Sequence, residues 1–198
     1  MQIESVTGVL LAGGKSSRMG TDKAWLQVEG QPLIERSIDT LRQCFTHNII
    51  VANQPQVFDS LGLPVIPDDE SGLGPIGGLL TALRHVGTPS IFLVACDMPY
   101  LNAPLIRDMA NAIGERDAVV ASIAGRLEPL HAVYRCAIRL VVETQISARA
   151  LSLQILVGKL NVKILSEKEL GRYREWRKVF LNVNTPEEFQ NVRRHHGE

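Results

Sequence analysis

Short apolar runs alternate along the first two-thirds of the chain with segments whose apolar residues recur at helical spacing. The runs are nearly continuous rather than alternating with polar residues, which is typical of strands covered on both faces. Strand, helix and strand in this order predict an α/β fold with a mostly parallel sheet and helices on both sides. The predicted strands are residues 6–12, 48–52, 64–66, 90–96 and 117–123.

Three longer helices are predicted between these strands, together with a short one at residues 57–61. The first follows Pro32, which is a favourable residue at a helix start, and its apolar face comprises Leu33, Ile34, Ser37, Ile38, Leu41 and Phe45. The second runs from Pro75 to Val86, and the third covers residues 103–113 with Asn102 as its N-cap.

The pattern loosens after Gly125. It predicts a strand at residues 131–134, helices at 135–146, 152–157 and 186–193, and extended segments at 162–165 and 178–183. Because no repeat, low-complexity tract or linker interrupts the chain, we expect one domain over residues 1–198.

Composition excludes several classes of protein. The 198 residues contain 21 Lys and Arg against 21 Asp and Glu, so no overall charge attracts nucleic acid or a membrane surface. The 3 cysteines lie far apart, which argues against a disulfide framework and suits a reducing compartment. The N-terminus lacks the features of a signal peptide, and no apolar run approaches the roughly 18 residues of a membrane span. We therefore expect a cytoplasmic protein.

A glycine-rich turn follows the first predicted strand. Gly13 and Gly14 free the backbone to turn and expose N–H groups, and Lys15, Arg18 and Lys23 add three cations within nine residues. This combination indicates anion binding. The spacing fits neither the P-loop nor the GxGxxG dinucleotide pattern. A plain turn between strand and helix, with basic residues at the surface, is the alternative.

A carboxylate, Asp97, ends the most apolar predicted strand. Ligands of open α/β sheets bind beyond the carboxyl ends of the strands. A carboxylate there either holds a cation or caps the following segment. The neighbouring phosphate-binding loop favours Mg²⁺, since this ion usually bridges carboxylates and phosphates.

Two further segments carry unusual residues. Gly77 and Gly78 lie just inside a predicted helix, where each carries a penalty of about 1 kcal/mol. They indicate close approach of a flat ligand, or tight packing of helix on strand. Asn182 and Asn184 alternate before Thr185, which is a good helix start by itself. For His131, a hydrogen-bonded structural role is favoured over substrate contact.

Together these strings resemble the molybdenum cofactor guanylyltransferase family, the MobA type, over residues 8–188. LAGGKSSRMGTDK at residues 11–23 is similar to the family's LAGGxSxRMGxDK motif without a gap. The remaining strings follow in family order: VAN at 51–53, PDD at 67–69, GPIGGL at 74–79, CDMP at 96–99, EPLHAVY at 128–134 and NVNTPEE at 182–188. Outside EPLHAVY, residues 125–176 match the family only thinly.

The resemblance implies a three-layer Rossmann-like nucleotidyltransferase fold and specific residue roles. Residues 1–124 would form the nucleotide-binding half and residues 125–198 the acceptor-binding half. Asp97 would bind Mg²⁺, and Asp68 would contact the nucleotide. The implied guanosine-binding positions are the backbone of Leu11, Ala12 and Gly13 with Asn53 or Val51; Gly14, Arg18 and Lys23 would hold the triphosphate, and Asn182 and Asn184 would face the pterin or assist the metal site. Arg18, Lys23 and Asp97 would be the catalytic residues.

The family's reaction transfers GMP from GTP to Mo-molybdopterin and releases pyrophosphate. The resemblance thus implies GTP and Mo-molybdopterin as substrates and Mg²⁺ as cofactor. It also implies molybdoenzymes or other cofactor-biosynthesis proteins as partners of a monomer. Two alternatives remain open: a related nucleotidyltransferase that uses CTP or a sugar-phosphate acceptor, and a non-catalytic nucleotide-sensing protein. LAGG rather than LAAG at residues 11–14 favours guanine over cytosine.

Overall fold

A computed structural model describes residues 1–12, 23–28 and 30–182. The nine strands of this part of the chain are β1 (Ile3–Leu11), β2 (Gln27–Val28), β3 (Gln31–Pro32), β4 (Phe45–Ala52), β5 (Val65–Pro67), β6 (Ser90–Ala95), β7 (Ala118–Ile123), β8 (Arg126–Arg135) and β9 (Val162–Leu165). The helices are α1 (Leu33–Cys44), α2 (Pro75–His85), α3 (Ala103–Asn111), α4 (Arg139–Ser147), α5 (Leu153–Val157), α6 (Glu167–Leu170) and α7 (Trp176–Val179). Short 3₁₀ helices cover Lys23–Trp25, Pro55–Leu61 and Cys136–Ile138.

Seven strands form one sheet in the order β5-β4-β1-β6-β8-β7-β9, while β2 and β3 pair as a separate ribbon. β1 pairs in parallel with both β4 and β6, and β7 pairs in parallel with β9. β8 is the reversed strand, since it pairs antiparallel with β6 and β7. The α/β class and mostly parallel sheet predicted from the sequence are confirmed.

Helices cover both faces of this sheet and bury one apolar core on each side. On one face, α1, α3 and α7 pack through Ile38, Met109 and Val179 against β1 and β6. On the other face, α2 and α5 pack through Leu79 and Leu156 against the opposite side of the same strands. This arrangement is the predicted three-layer architecture. Among the described residues, no helix is both long and apolar enough to cross a membrane.

Some predicted boundaries moved for physical reasons. Phe45 was expected on the first helix, but α1 ends at Cys44 and Phe45 starts β4, where it pairs with Ile3. Asn102 caps α3 as predicted, accepting a bond from the Leu105 amide at 3.0 Å. The extended segment predicted at residues 178–183 is wrong at its start, because Lys178 and Val179 belong to α7. The helix predicted at residues 186–193 lies outside the described residues.

The reversed strand β8 is longer than the four residues predicted for it. It spans Arg126–Arg135 and is joined to β7 by Ala124 and Gly125, whose φ angles are 48° and 77°. Two consecutive residues at positive φ form the tight turn that suits the twist of a hairpin. The turn closes where Ile123 pairs with Arg126. This hairpin places the start of β8 beyond the end of β6.

Candidate functional site

The predicted ligand-binding positions meet at the carboxyl ends of four parallel strands. Leu11 ends β1, Asn53 follows β4, Asp68 follows β5 and Asp97 lies just past β6. These strands are consecutive in the sheet, in the order β5-β4-β1-β6. The fold therefore brings residues from four separate sequence motifs to one edge, where ligands of open α/β sheets bind.

Backbone hydrogen bonds extend the ladder past the ends of the strands and fix the height of these residues. The Ala12 amide donates to the Val51 carbonyl at 2.9 Å, and the Cys96 amide donates to the Leu11 carbonyl at 3.1 Å. Leu11 and Ala12 are thus held between β4 and β6. Because Asp97 follows Cys96 directly, its backbone lies beside the residues that lead into the glycine-rich loop.

The glycine-rich loop itself, with Gly13, Gly14 and Arg18, lies outside the described residues. The backbone of Lys23 starts the 3₁₀ helix Lys23–Trp25, but its side chain is also outside the described part. The roles expected for these residues stay predictions. Their position is bounded by Ala12 on one side and by the buried Ala24 on the other.

Asp68 presents a buried carboxylate oxygen at this edge. Its Oδ1 atom is inaccessible to solvent and has no hydrogen-bond partner among the described residues. Burial disfavours the charged form and is the main reason that the pKa of Asp68 is raised, with the negative charge of Asp69 adding to it. A buried acceptor without a partner is costly in a protein interior. It is suited to accept a hydrogen bond from a ligand.

Gly78 explains why the start of α2 is rich in glycine. A Cβ atom at this position would lie 2.9 Å from Leu11 Cδ2 and 3.7 Å from Asp68 Oδ1. At Gly77, a Cβ would come within 2.8 Å of Leu73 Cβ. The alternative of tight packing between helix and strand is therefore realised at both glycines, and at Gly78 it occurs beside a candidate binding carboxylate.

Asp97 fits the role of a magnesium ligand through its place and chemistry. It is half-buried in the turn after β6, next to the backbone that leads into the predicted phosphate-binding loop. Within residues 1–12, 23–28 and 30–182, no group of three or more His, Cys, Asp or Glu residues is arranged to hold a metal ion. Mg²⁺ needs only one or two carboxylates beside phosphates and water, so a single aspartate is a sufficient protein ligand.

The acceptor side of the edge is less completely described. Asn182 is exposed and follows Phe180, whose ring packs at 5.1 Å from that of His131, and Asn184 lies outside the described residues. Glu128, near the start of β8, is half-buried, and burial raises its pKa. The sequence analysis gave Glu128 no role, although it belongs to the EPLHAVY string.

His131 is structural in its burial but not in its bonding. It is 0% exposed and lies between the rings of Phe92 and Phe180, 5.0 and 5.1 Å away. Neither ring nitrogen has a hydrogen-bond partner among the described residues, so the hydrogen-bonded role expected for it is not found there. Burial lowers its pKa from 6.5 to about 4, because the apolar surroundings disfavour the imidazolium.

Comparison with known proteins places this edge in a family. The model of the MobA-like NTP transferase domain matches residues 8–154, which include the ends of all four parallel strands described above. The chain belongs to the MobA-like NTP transferases. It is accordingly a nucleotidyltransferase, and the family predicted from the sequence is confirmed.

Individual relatives agree over nearly the whole length. A probable molybdenum cofactor guanylyltransferase of Carboxydothermus hydrogenoformans is 34% identical over 190 residues, covering 96% of each chain. The structure of molybdopterin-guanine dinucleotide biosynthesis protein A from Archaeoglobus fulgidus superimposes with a TM-score of 0.80 at 25% identity, covering 96% of this chain and 97% of that one. A 4-diphosphocytidyl-2C-methyl-D-erythritol synthase from Anaerococcus prevotii, 11% identical with a TM-score of 0.74 and coverage of 98% and 97%, shares the fold.

Proposed function

We propose that this MobA-like transferase moves GMP from GTP to Mo-molybdopterin, forming the guanine dinucleotide cofactor and pyrophosphate. The observation that carries this proposal is the 34% identity to a probable molybdenum cofactor guanylyltransferase over 96% of both chains. The ungapped LAGGKSSRMGTDK string and the four strand ends at one edge of the sheet support it further.

The reaction needs positioning and charge neutralisation rather than a protein nucleophile. An oxygen of the acceptor's terminal phosphate attacks the α-phosphorus of GTP in line. The bond from that phosphorus to the bridging oxygen of the β-phosphate breaks, and the electron pair leaves with pyrophosphate. Arg18 and Lys23 would neutralise the charge that develops on the phosphates.

The nucleotide would lie across the strand ends. The backbone of Leu11, Ala12 and Gly13 would hold guanosine together with Asn53 or Val51, while Gly14 would contact the triphosphate. Asp68 is suited to the nucleoside rather than the phosphates, because a carboxylate accepts hydrogen bonds from N–H and O–H groups and repels anions. Asp97 would bind Mg²⁺, which supplies positive charge to the phosphates when it is bound.

The acceptor would lie towards the reversed strand. Residues 125–198 would form the acceptor-binding half, and Asn182 and Asn184 would face the pterin or assist the metal site. Asn182 lies two residues beyond Phe180, which packs on β8 through His131, so the described part of this segment borders the β6–β8 side of the edge. In the cell we propose a cytoplasmic monomer that exchanges its cofactor with molybdoenzymes or other cofactor-biosynthesis proteins.

A second candidate is a related transferase that uses CTP or a sugar-phosphate acceptor. The observation that favours it is the likeness of fold to the Anaerococcus prevotii enzyme, whose name contains diphosphocytidyl. LAGG at residues 11–14, where cytidylyl relatives usually have LAAG, favours guanine instead.

Two experiments separate these candidates. Calorimetric titration with GTP, CTP and ATP in the presence of Mg²⁺ should give the tightest binding for GTP, and equal or tighter binding of CTP would overturn the guanine assignment. Reconstitution with Mo-molybdopterin and GTP should then yield the guanine dinucleotide and pyrophosphate. Turnover of a sugar phosphate without any dinucleotide would refute the proposed acceptor.

A further inference from the structure

Asp69, the second acid of the PDD string, is bonded three times to a single helix. Its amide donates to Thr81 Oγ1 at 3.1 Å. Its carboxylate pairs with His85 Nε2 at 2.9 Å through Oδ1 and accepts a bond from Arg84 Nη1 at 3.2 Å through Oδ2. All three partners belong to α2, so the backbone and both carboxylate oxygens of Asp69 are fixed to it.

These bonds determine where Asp68 lies. On its amino side, the Asp68 amide donates to the Ala52 carbonyl at 3.4 Å, which joins it to the end of β4. On its carboxyl side, Asp69 attaches the chain to α2. The Asp68 carboxylate is therefore directed towards Gly78 and Leu11, with its Oδ1 atom buried and without a partner among the described residues.

Charge adds a second constraint on this pair of acids. Two adjacent carboxylates repel each other, and the positively charged Arg84 compensates the charge of Asp69. Arg84 also bonds Glu143 of α4 at 3.1 Å and contacts Glu70 at 3.5 Å, so it is held from two sides. The hydrogen bond from His85, followed by that from Arg84, lowers the pKa of Asp69. Asp69 thus stays ionised and bonded to α2.

We infer that Asp69 is a positioning residue for nucleotide binding, which holds the Asp68 carboxylate against the nucleoside without touching the nucleotide itself. This inference rests on the proposed function, because it requires Asp68 to contact the bound GTP. It assigns to the second acid a role opposite to that of the first: Asp69 is consumed by bonds within the protein, which leaves Asp68 to accept bonds from the ligand.

A double-mutant cycle tests this dependence. Asp69→Asn keeps the shape but cannot accept both bonds, and Asp68→Asn removes the charge that faces the nucleoside. We expect each single variant to weaken GTP binding about tenfold in calorimetry with Mg²⁺. We expect the double variant to bind within about twofold of Asp68→Asn, since residues that act through one contact are not additive. In transfer assays, Asp69→Asn should raise the KM for GTP while kcat and the KM for the acceptor change less than about threefold.

Glu70→Gln is the matched control, because it alters the longer contact to Arg84 and leaves Asp69 bonded. It should bind GTP within about twofold of the wild type. Losses that multiply in the double variant would show that Asp69 acts independently of Asp68 and would overturn the inference. If wild-type protein binds and transfers GTP but Asp68→Asn binds it normally, the inference fails while the proposed function stands. No GTP binding by the wild type would instead refute the proposed function.

A milder variant keeps the inference testable if Asp69→Asn unfolds. His85→Ala removes one of the three bonds from a side chain that is 44% exposed. It should weaken GTP binding about threefold with an unchanged far-ultraviolet spectrum. Normal GTP affinity in a folded His85→Ala protein, combined with normal affinity in Asp69→Asn, would overturn the inference.

Discussion

Gly78 and Leu11 are so close that a Cβ atom at residue 78 would lie 2.9 Å from Leu11 Cδ2. The same atom would stand 3.7 Å from Asp68 Oδ1. One helix position thus borders both the end of the central strand and a candidate nucleotide-binding carboxylate, and this relationship makes Gly78 a sensitive point of the candidate site.

Gly78→Ala should therefore impair both packing and binding. Overpacking of a filled site costs about 1–3 kcal/mol, which exceeds the roughly 1 kcal/mol that alanine gains over glycine in a helix. We expect a lower unfolding midpoint and about tenfold weaker GTP binding in calorimetry. Gly87→Ala is the control, because a Cβ there meets nothing within 4 Å. Unchanged GTP affinity in Gly78→Ala would separate this glycine from the nucleotide site.

Asp97→Asn should abolish transfer with little effect on folding. The substitution preserves the shape of the side chain and removes the charge that would bind Mg²⁺. We expect product formation to fall by at least about a hundredfold, as when a group that stabilises transition-state charge is lost. Thermal unfolding should shift little. Asp59→Asn, at an exposed residue of the Pro55–Leu61 3₁₀ helix, serves as the control. Near-normal turnover in Asp97→Asn would remove this residue from the metal role.

His131 should make the stability of the fold depend on pH. Its pKa is about 4 in the folded protein against 6.5 for the model value, so only the unfolded chain takes up a proton between these values. Its contribution to stability is complete above pH 6.5 and falls as the pH decreases to about 4, by an amount on the order of 3 kcal/mol. His131→Leu should lose this component and become increasingly more stable than the wild type over that interval.

Urea unfolding of both proteins at several pH values measures the difference. His47→Gln, at an exposed histidine on β4, should follow the wild-type curve. A constant difference between His131→Leu and the wild type from pH 7 to pH 4 would contradict the assignment of this pH dependence to His131.

Gly8→Ala should destabilise the centre of the sheet. A Cβ at residue 8 would lie 2.3 Å from Asn48 Oδ1 and 3.0 Å from Phe45 Cδ2, in a region where neither group can move freely. We expect a loss of about 2–4 kcal/mol in the free energy of unfolding. Asn48→Ala removes the closer atom, so the double variant Gly8→Ala/Asn48→Ala should lose less than the sum of the two single losses. Additive losses would show that the contact with Asn48 is not the cause.

The sequence predicted the elements whose signal is local and missed those fixed by distant contacts. Phe45 continues the apolar face of α1, yet pairing with Ile3 on β1 makes it the first residue of β4. The hairpin turn before β8 was hidden because Ala124, not a glycine, adopts φ 48° there. The signal for α7 was present in the three-residue spacing of Tyr173, Trp176 and Val179, but the apolar string around residue 180 favoured an extended segment.

The candidate site shows the same division. Parallel strands separated by helices place their carboxyl ends at one edge, so the meeting of Leu11, Asp68 and Asp97 followed from the element order alone. The bonds of Asp69 to Thr81, Arg84 and His85 depend on how α2 packs beside β5, and spacing in the sequence does not indicate them. The missing hydrogen bonds of His131 have the same origin, since they depend on which neighbours surround β8.

The place of β1 between β4 and β6 has a consequence for folding during synthesis. When the ribosome has made residues 1–52, β1 can pair with β4, but its other side has no partner until residues 90–95 emerge. Such an open, apolar strand edge is a surface on which unfinished chains aggregate. The newly made chain therefore passes through a stage in which its central strand, the one that leads into the nucleotide loop, is the part most in need of a chaperone.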